Sequence, residues 1–220
     1  MPRCARIVCV GLMLFAGFMN HAARAGSDTT AASSAIVMPG GPRSGTNGKN
    51  YLNAQGKKTS PDGQYASFGV IDFNVPLDLG QVTKVKGLTL TLTESIPAFA
   101  HDGAVKFYLT TDTRTDTSAP EAKAAPALKF DASTSDGLGN QLSPRYPAGS
   151  GTFTKKKTGE VDTFSLRVEG EGEMYLRGEL NRKGKIRILM VPDSDDVAAT
   201  YFGAANSSPS NRPKLTIDAE

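Results

Sequence analysis

The run VPDSDDVAA (191–199) places Asp193, Asp195 and Asp196 within one turn. Calcium takes roughly six to eight oxygen ligands, which clustered loop carboxylates and backbone carbonyls supply. The three aspartates are therefore candidate ligands of a structural calcium, weighed against a solvated acidic turn held by its own local hydrogen bonds. DASTSDGLGN (131–140) is also rich in acids, but its spacing departs from an EF-hand loop.

Rings and amides form a second set. Tyr51 and Tyr146 stand in loop-like contexts, where an exposed ring offers a face to a ligand. Arg145 beside Tyr146 would add a donor. Asn206 and Asn211, in AANSSPSNRP, add side-chain amides, although that stretch reads first as the link between the last two strands. Tyr65, Tyr108 and Tyr201 lie inside apolar runs and are expected in the core, their hydroxyls satisfied.

Catalytic chemistry finds little to work with. Beyond residue 25, His101 is the one imidazole, and AFAHDGAV (98–105) has no nucleophile elbow beside it. A glycosidase needs two carboxylates across the scissile bond, and nothing in the sequence selects such a pair from the 22 acidic residues. No glycine-rich phosphate loop opens a helix. No catalytic residue is nominated, and the chain reads as a non-enzyme.

The elements that would carry these groups are mostly strands. GLTLTLTES (87–95) alternates cleanly, with Leu88, Leu90 and Leu92 on one face and threonines on the other. Runs of the same kind occur at 65–75, 104–112, 162–170, 185–193, 198–204 and 213–219. Short strands separated by turn residues indicate an all-β antiparallel sandwich. EGEMYLRGELNRKGK (171–185) differs: Leu176 and Leu180 stand four apart, with acids early and bases late. That pattern predicts one short helix near residues 171–183, crossing one end of the sandwich. The stretch 113–149 is a long Pro/Ala/Ser/Gly-rich connection, expected to be functional or loosely ordered. Lys155–Lys157 are expected on a charged hairpin arm that discourages edge pairing.

The first residues speak to compartment. Arg3 and Arg6 precede the apolar run IVCVGLMLFAGFM (7–19), and Ala-Arg-Ala ends at residue 25. Basic head, short apolar middle and small-residue exit read as a signal peptide over 1–25, so an exported product is expected, periplasmic or extracellular. Both cysteines, Cys4 and Cys9, lie within it, which excludes disulfides and thiol chemistry from the remainder. Arg3, Arg6 and Arg24 account for the whole formal charge of +3. The remainder is neutral, with no general electrostatic attraction to nucleic acid, and it holds no second apolar run long enough for a transmembrane anchor. Residues 26–42 read as a flexible lead, ordered at most as an edge strand over 34–38, and 43–220 as one β-sandwich domain.

The order GPRSGTNGKNYLNAQG, YASFGVIDFNV, GLTLTLTES, DTFSLRV, a short helix, IRILMVPD and VAATYFGAANSSPSNRPKLTI resembles exported bacterial jelly-roll domains of the DNRLRE type and related carbohydrate-binding modules. Asp72–Phe73 and Asn211–Leu215 carry the likeness, which spans most of 44–218. The resemblance implies a jelly-roll sandwich that binds polysaccharide at the cell surface, often with structural calcium. The chain departs from that group in having no tryptophan and no sorting tail after Glu220. Two other readings stand beside it. One is a structural or adhesive subunit that pairs with cell-surface protein, the Ala/Ser/Thr-rich lead donating a strand to a neighbour. The other is a secreted polysaccharide-active enzyme. Oligomeric state is left open.

Overall fold

The alternation in GLTLTLTES becomes β5 (Val85–Thr93), with Leu88, Leu90 and Leu92 buried. The chain is an antiparallel β-sandwich of the jelly-roll kind, seen in a computed structural model that describes residues 26–118, 121–122 and 127–220. The expected signal peptide lies outside the described residues.

Residues 26–42 correct the expectation of a flexible lead. β1 (Ser27–Met38) is the strand on which the two sheets meet. Its first residues pair with β13 (Lys214–Ala219); past an irregularity between Ala31 and Ser33 it pairs with β4 (Phe68–Asn74) and with β2 (Gly41–Pro42). Composition hid most of this strand, because SDTTAASS (27–34) has no apolar alternation, and only residues 34–37 are buried on both faces. One sheet runs β10 (Val161–Leu166), β5, β13, β1; the other runs β1, β4, β11 (Lys185–Pro192), β6 (Gly103–Thr110), β9 (Arg145–Phe153). On the side away from β1, Arg167 N–H donates to Ala148 C=O at 2.7 Å, drawing the two edges together.

Between the sheets, Leu90, Leu215 and Phe164 meet Phe73, Ile188 and Phe107, and the Phe107 and Phe164 rings stand 4.8 Å apart. α2 (Glu171–Asn181) closes the end where β5 begins, as its Leu176–Leu180 spacing predicts. Asn181 locks it there, accepting from Val82 N–H at 2.7 Å and donating back to Val82 C=O at 2.9 Å. A second, six-residue helix, α1 (Gly45–Asn50), was not expected; it leads into β3 (Tyr51–Gln55).

The outer face of the second sheet is also covered. Leu128, Phe130, Leu138 and Leu142, from the long connection, pack on Phe68, Val70, Leu189 and Val191. β4 and β11 are therefore buried on both faces, which is why their sequences read as nearly continuous apolar runs. The described part of the connection is a packed cover rather than a loose loop; residues 127–130, which could have added a strand, pack without forming one. β7 (Thr115–Asp116) and β8 (Glu121–Ala122) form a small ribbon within it.

An ion pair pins that cover. Arg187 on β11 donates to both oxygens of Asp72 on β4, at 2.7 and 2.9 Å, and to Asp112 C=O at 2.6 Å. Thr117 donates to Asp72 at 2.6 Å and exchanges a 2.7 Å hydrogen bond with Ser33 of β1. Burial works to raise the Asp72 pKa. The Arg187 hydrogen bonds and charge, helped by Thr117 and Lys185, outweigh it and hold the carboxyl below the usual range.

Candidate functional site

At the end of the sandwich opposite α2, where β5 finishes, β12 (Ala198–Phe202) pairs with β3 as a separate ribbon. Its residues alternate. Leu52, Ala54, Ala199 and Tyr201 turn into the core; Tyr51, Asn53, Gln55 and Thr200 turn outward. The outward row floors a groove of about 650 Å³. Ser60, Pro61 and Tyr65 wall one side, and Ile96, Ala98, Phe99 and His101 another; Arg43 and Asn47 also line it.

The sequence explains each part. Pro97 starts the turn Pro97–Phe99, which leaves the Phe99 ring 69% exposed. Pro61 similarly opens a turn that delivers Tyr65, 51% exposed. Gly203 ends β12 against α1: a Cβ there would lie 2.3 Å from Lys49 C=O and 2.9 Å from Tyr51 C=O, so any side chain would push the ribbon and Tyr51 apart.

The groove's polar groups are largely uncommitted. Among the described residues, no hydrogen bond engages the side chains of Arg43, Asn47, Tyr51, Asn53, Gln55 or Tyr65. Ser67 is buried at the groove wall, and its Oγ has no partner. An orphaned buried hydroxyl costs about 1–3 kcal/mol. Aromatic faces beside free amides and hydroxyls suit a ligand that is apolar on its ring faces and polar at its edges.

Behind the ribbon lies a second polar cluster. Tyr201 donates to Asp162 at 2.8 Å, Lys156 pairs with the other Asp162 oxygen, and Lys156 N–H donates to Glu94 at 2.9 Å. Lys156 thus ties the β9–β10 connection over the sandwich end instead of lining a free hairpin arm. Burial, then the Asp162 charge, raises the Tyr201 pKa. Glu94 is fully buried, with one oxygen unpartnered. Burial pushes its pKa up, the Asp162 and Glu160 carboxylates add to this, and Lys156 opposes it. Folded Glu94 holds its proton more tightly than unfolded Glu94, so stability falls as pH rises from about 4.3 through the raised value. Glu94→Gln removes that dependence, and its stability relative to the native protein is expected to grow as pH rises. Urea midpoints at about pH 4 and about pH 7 measure this; a difference that does not change with pH overturns it.

Of the residues nominated from sequence, Tyr51 lines the groove. Arg145 and Tyr146 do not act together: neighbours on β9, they point to opposite faces. Tyr146 stacks on Tyr175 at 5.3 Å and packs on the main core, whereas Arg145 lies over the Tyr108 ring and 3.5 Å from Asp136. Asn206 accepts from Ser208 N–H at 3.0 Å and its carbonyl from Arg212 at 2.9 Å, so its stretch serves as a connection; Asn211 accepts from Ser210 at 3.4 Å. The three aspartates do not converge. Asp193 pairs with Lys106, Asp195 with Lys57 at 3.5 Å, and Asp196 with Lys58 at 3.8 Å. Among the described residues, no three acidic or histidine side chains come together as a cation site. Tyr201 is in the core as expected and Tyr108 is half-buried, but Tyr65 is not in the core.

No protein-family model matches the chain, the DNRLRE type included, and no curated protein matches it. Several solved structures match the chain, among them one that is similar over 88% of this chain, at 13% identity and a TM-score of 0.27. It is described as "Structural basis for the promiscuous specificity of the carbohydrate-binding modules from the beta-sandwich super family". The chain spans about half of that structure's length, 54%. A TM-score this low leaves any functional reading to the chain's own side chains. Among the described residues, no helix is long and apolar enough to cross a membrane.

Proposed function

We propose that this protein is an exported, non-catalytic β-sandwich that binds a glycan in the groove on the β3–β12 ribbon. The observation that carries the reading is the outward row Tyr51, Asn53, Gln55, its amides uncommitted, set between the exposed Tyr65 and Phe99 rings. Sugar rings offer C–H faces to aromatic side chains and hydroxyls to amides, and this groove presents both partners in one place. Binding fits better than turnover. His101, on the rim, has no carboxylate hydrogen-bonded to it among the described residues; the adjacent Asp102 instead accepts from Lys155 N–H at 2.7 Å. The test is retention of the purified protein on a panel of polysaccharides. Saturable binding to at least one is expected, and a blank panel overturns the reading.

The strand-donation route to a protein partner loses its support, since β1 is built into both of the protein's own sheets. Export rests on the pattern of residues 1–25. β1 begins at Ser27, so cleavage after Ala25 would leave the strand whole. Mass spectrometry of the protein expressed in a bacterial host is expected to find Gly26 as the first residue; an uncleaved chain in the cytoplasm overturns export.

A further inference from the structure

The groove also carries information about ligand charge. Among the described residues that line it, none is Asp or Glu, while Arg43 contributes a guanidinium. Nearby lysines are already engaged: Lys57 with Asp195 and Lys58 with Asp196. Arg43 is different. It is held by its backbone, its N–H donating to Ile36 C=O at 2.8 Å, and its side chain forms no ion pair or hydrogen bond among the described residues. The buried Ser67 hydroxyl, without a partner, lines the same groove and independently points to a polar ligand group there.

We infer that the glycan bound in this groove is anionic, its acidic group paired with Arg43. The inference rests on the glycan reading above and adds the substrate class. An Arg fork matches a planar carboxylate with two parallel hydrogen bonds, so a uronate polymer suits it better than a sulfate ester. Beyond residue 25 the 22 acidic residues are balanced by bases. General attraction to a polyanion is therefore weak, and retention on one reports a local site.

The experiment is affinity electrophoresis of the protein and of Arg43→Gln through polygalacturonate, dextran sulfate and neutral dextran and xylan. Retardation on polygalacturonate is expected. It should weaken as ionic strength rises from about 0.01 to about 1 M, over which the Debye length falls from roughly 30 to 3 Å. Arg43→Gln is expected to bind about tenfold more weakly with an unchanged melting temperature, because the guanidinium it removes makes no hydrogen bond or ion pair among the described residues and glutamine keeps most of the aliphatic stem. Retardation on dextran sulfate alone would keep the anionic class but assign the sulfate ester. Equal binding of Arg43→Gln and the native protein to polygalacturonate overturns the inference. So does binding confined to neutral polymers, which leaves the glycan reading intact. No retardation on any polymer overturns both.

Discussion

Arg187→Ala is expected to lower folding stability by about 3–5 kcal/mol, the range for removing one partner of a buried ion pair. The cost arises from what remains. Asp72 is wholly buried on β4, and without Arg187 its carboxylate keeps only the Thr117 hydroxyl at 2.6 Å and the Lys185 ammonium at 3.6 Å. Asp112 C=O also loses its 2.6 Å donor, so the start of the long connection comes free of the outer sheet face. Two readouts follow. The urea midpoint falls, and limited proteolysis cuts the 112–117 stretch earlier than in the native protein. Asp72→Ala is expected to cost a similar amount, and the double variant less than the two single losses added together, because neither charge is then left alone. The pH dependence has a definite sign. With its pKa depressed in the fold, Asp72 contributes stability that is present above about pH 3.9 and lost as pH falls through the folded value. A loss below about 1 kcal/mol in Arg187→Ala would place the pair in the class of exposed, solvated bridges and refute its role as a pin.

Phe99→Ala and Tyr65→Ala are each expected to weaken glycan binding about tenfold, since truncating a central aromatic contact in a binding site costs more than about 1 kcal/mol. Both rings stand mostly in solvent, at 69% and 51% exposure, so the variants should melt with the native protein. That separation makes the test clean: affinity moves while stability does not. Tyr51→Ala is a less clean variant, because its ring also stacks on Phe202 at 6.4 Å. Isothermal titration or affinity electrophoresis with a retained polymer measures the effect. If both variants bind as tightly as the native protein, the groove is not the site. The half-buried Tyr146–Tyr175 stack near α2 then becomes the place to look.

The local pattern carried much of the architecture. Strict alternation in GLTLTLTES can bury its leucines only as a strand, and it does so in β5. The Leu176–Leu180 spacing and the early acids specify α2 to within two residues of where it lies. Period and charge order are properties of neighbours in the chain, so they can be read without the fold. β1 and β3 escaped that reading for one reason. Apart from the edge strand expected over 34–38, β1 is small or polar, and β3 has only Tyr51 and Leu52 as large apolar residues; they become strands because partners distant in sequence, β13 and β4 for one and β12 for the other, supply the hydrogen bonds.

The site divides along the same line. Tyr51 reads from the sequence as an exposed ring in a loop-like context; it does line the groove, but from strand β3 and not from a loop. Tyr65 opens an apolar run and so reads as core; the turn at Pro61 leaves it outside. Asn53, Gln55 and Arg43 had no motif to announce them, since their joint position depends on β3 pairing with β12. Asp193, Asp195 and Asp196 show the converse: close spacing suggested a shared cation, and three lysines from other segments neutralise them separately. What the sequence established was therefore what nearest neighbours determine: strand and helix periods, the neutral balance beyond residue 25, and the sandwich class. Which side chains share a groove, and which charges already have partners, depended on long-range pairing, because the energies that set it come from contacts between segments far apart in the chain.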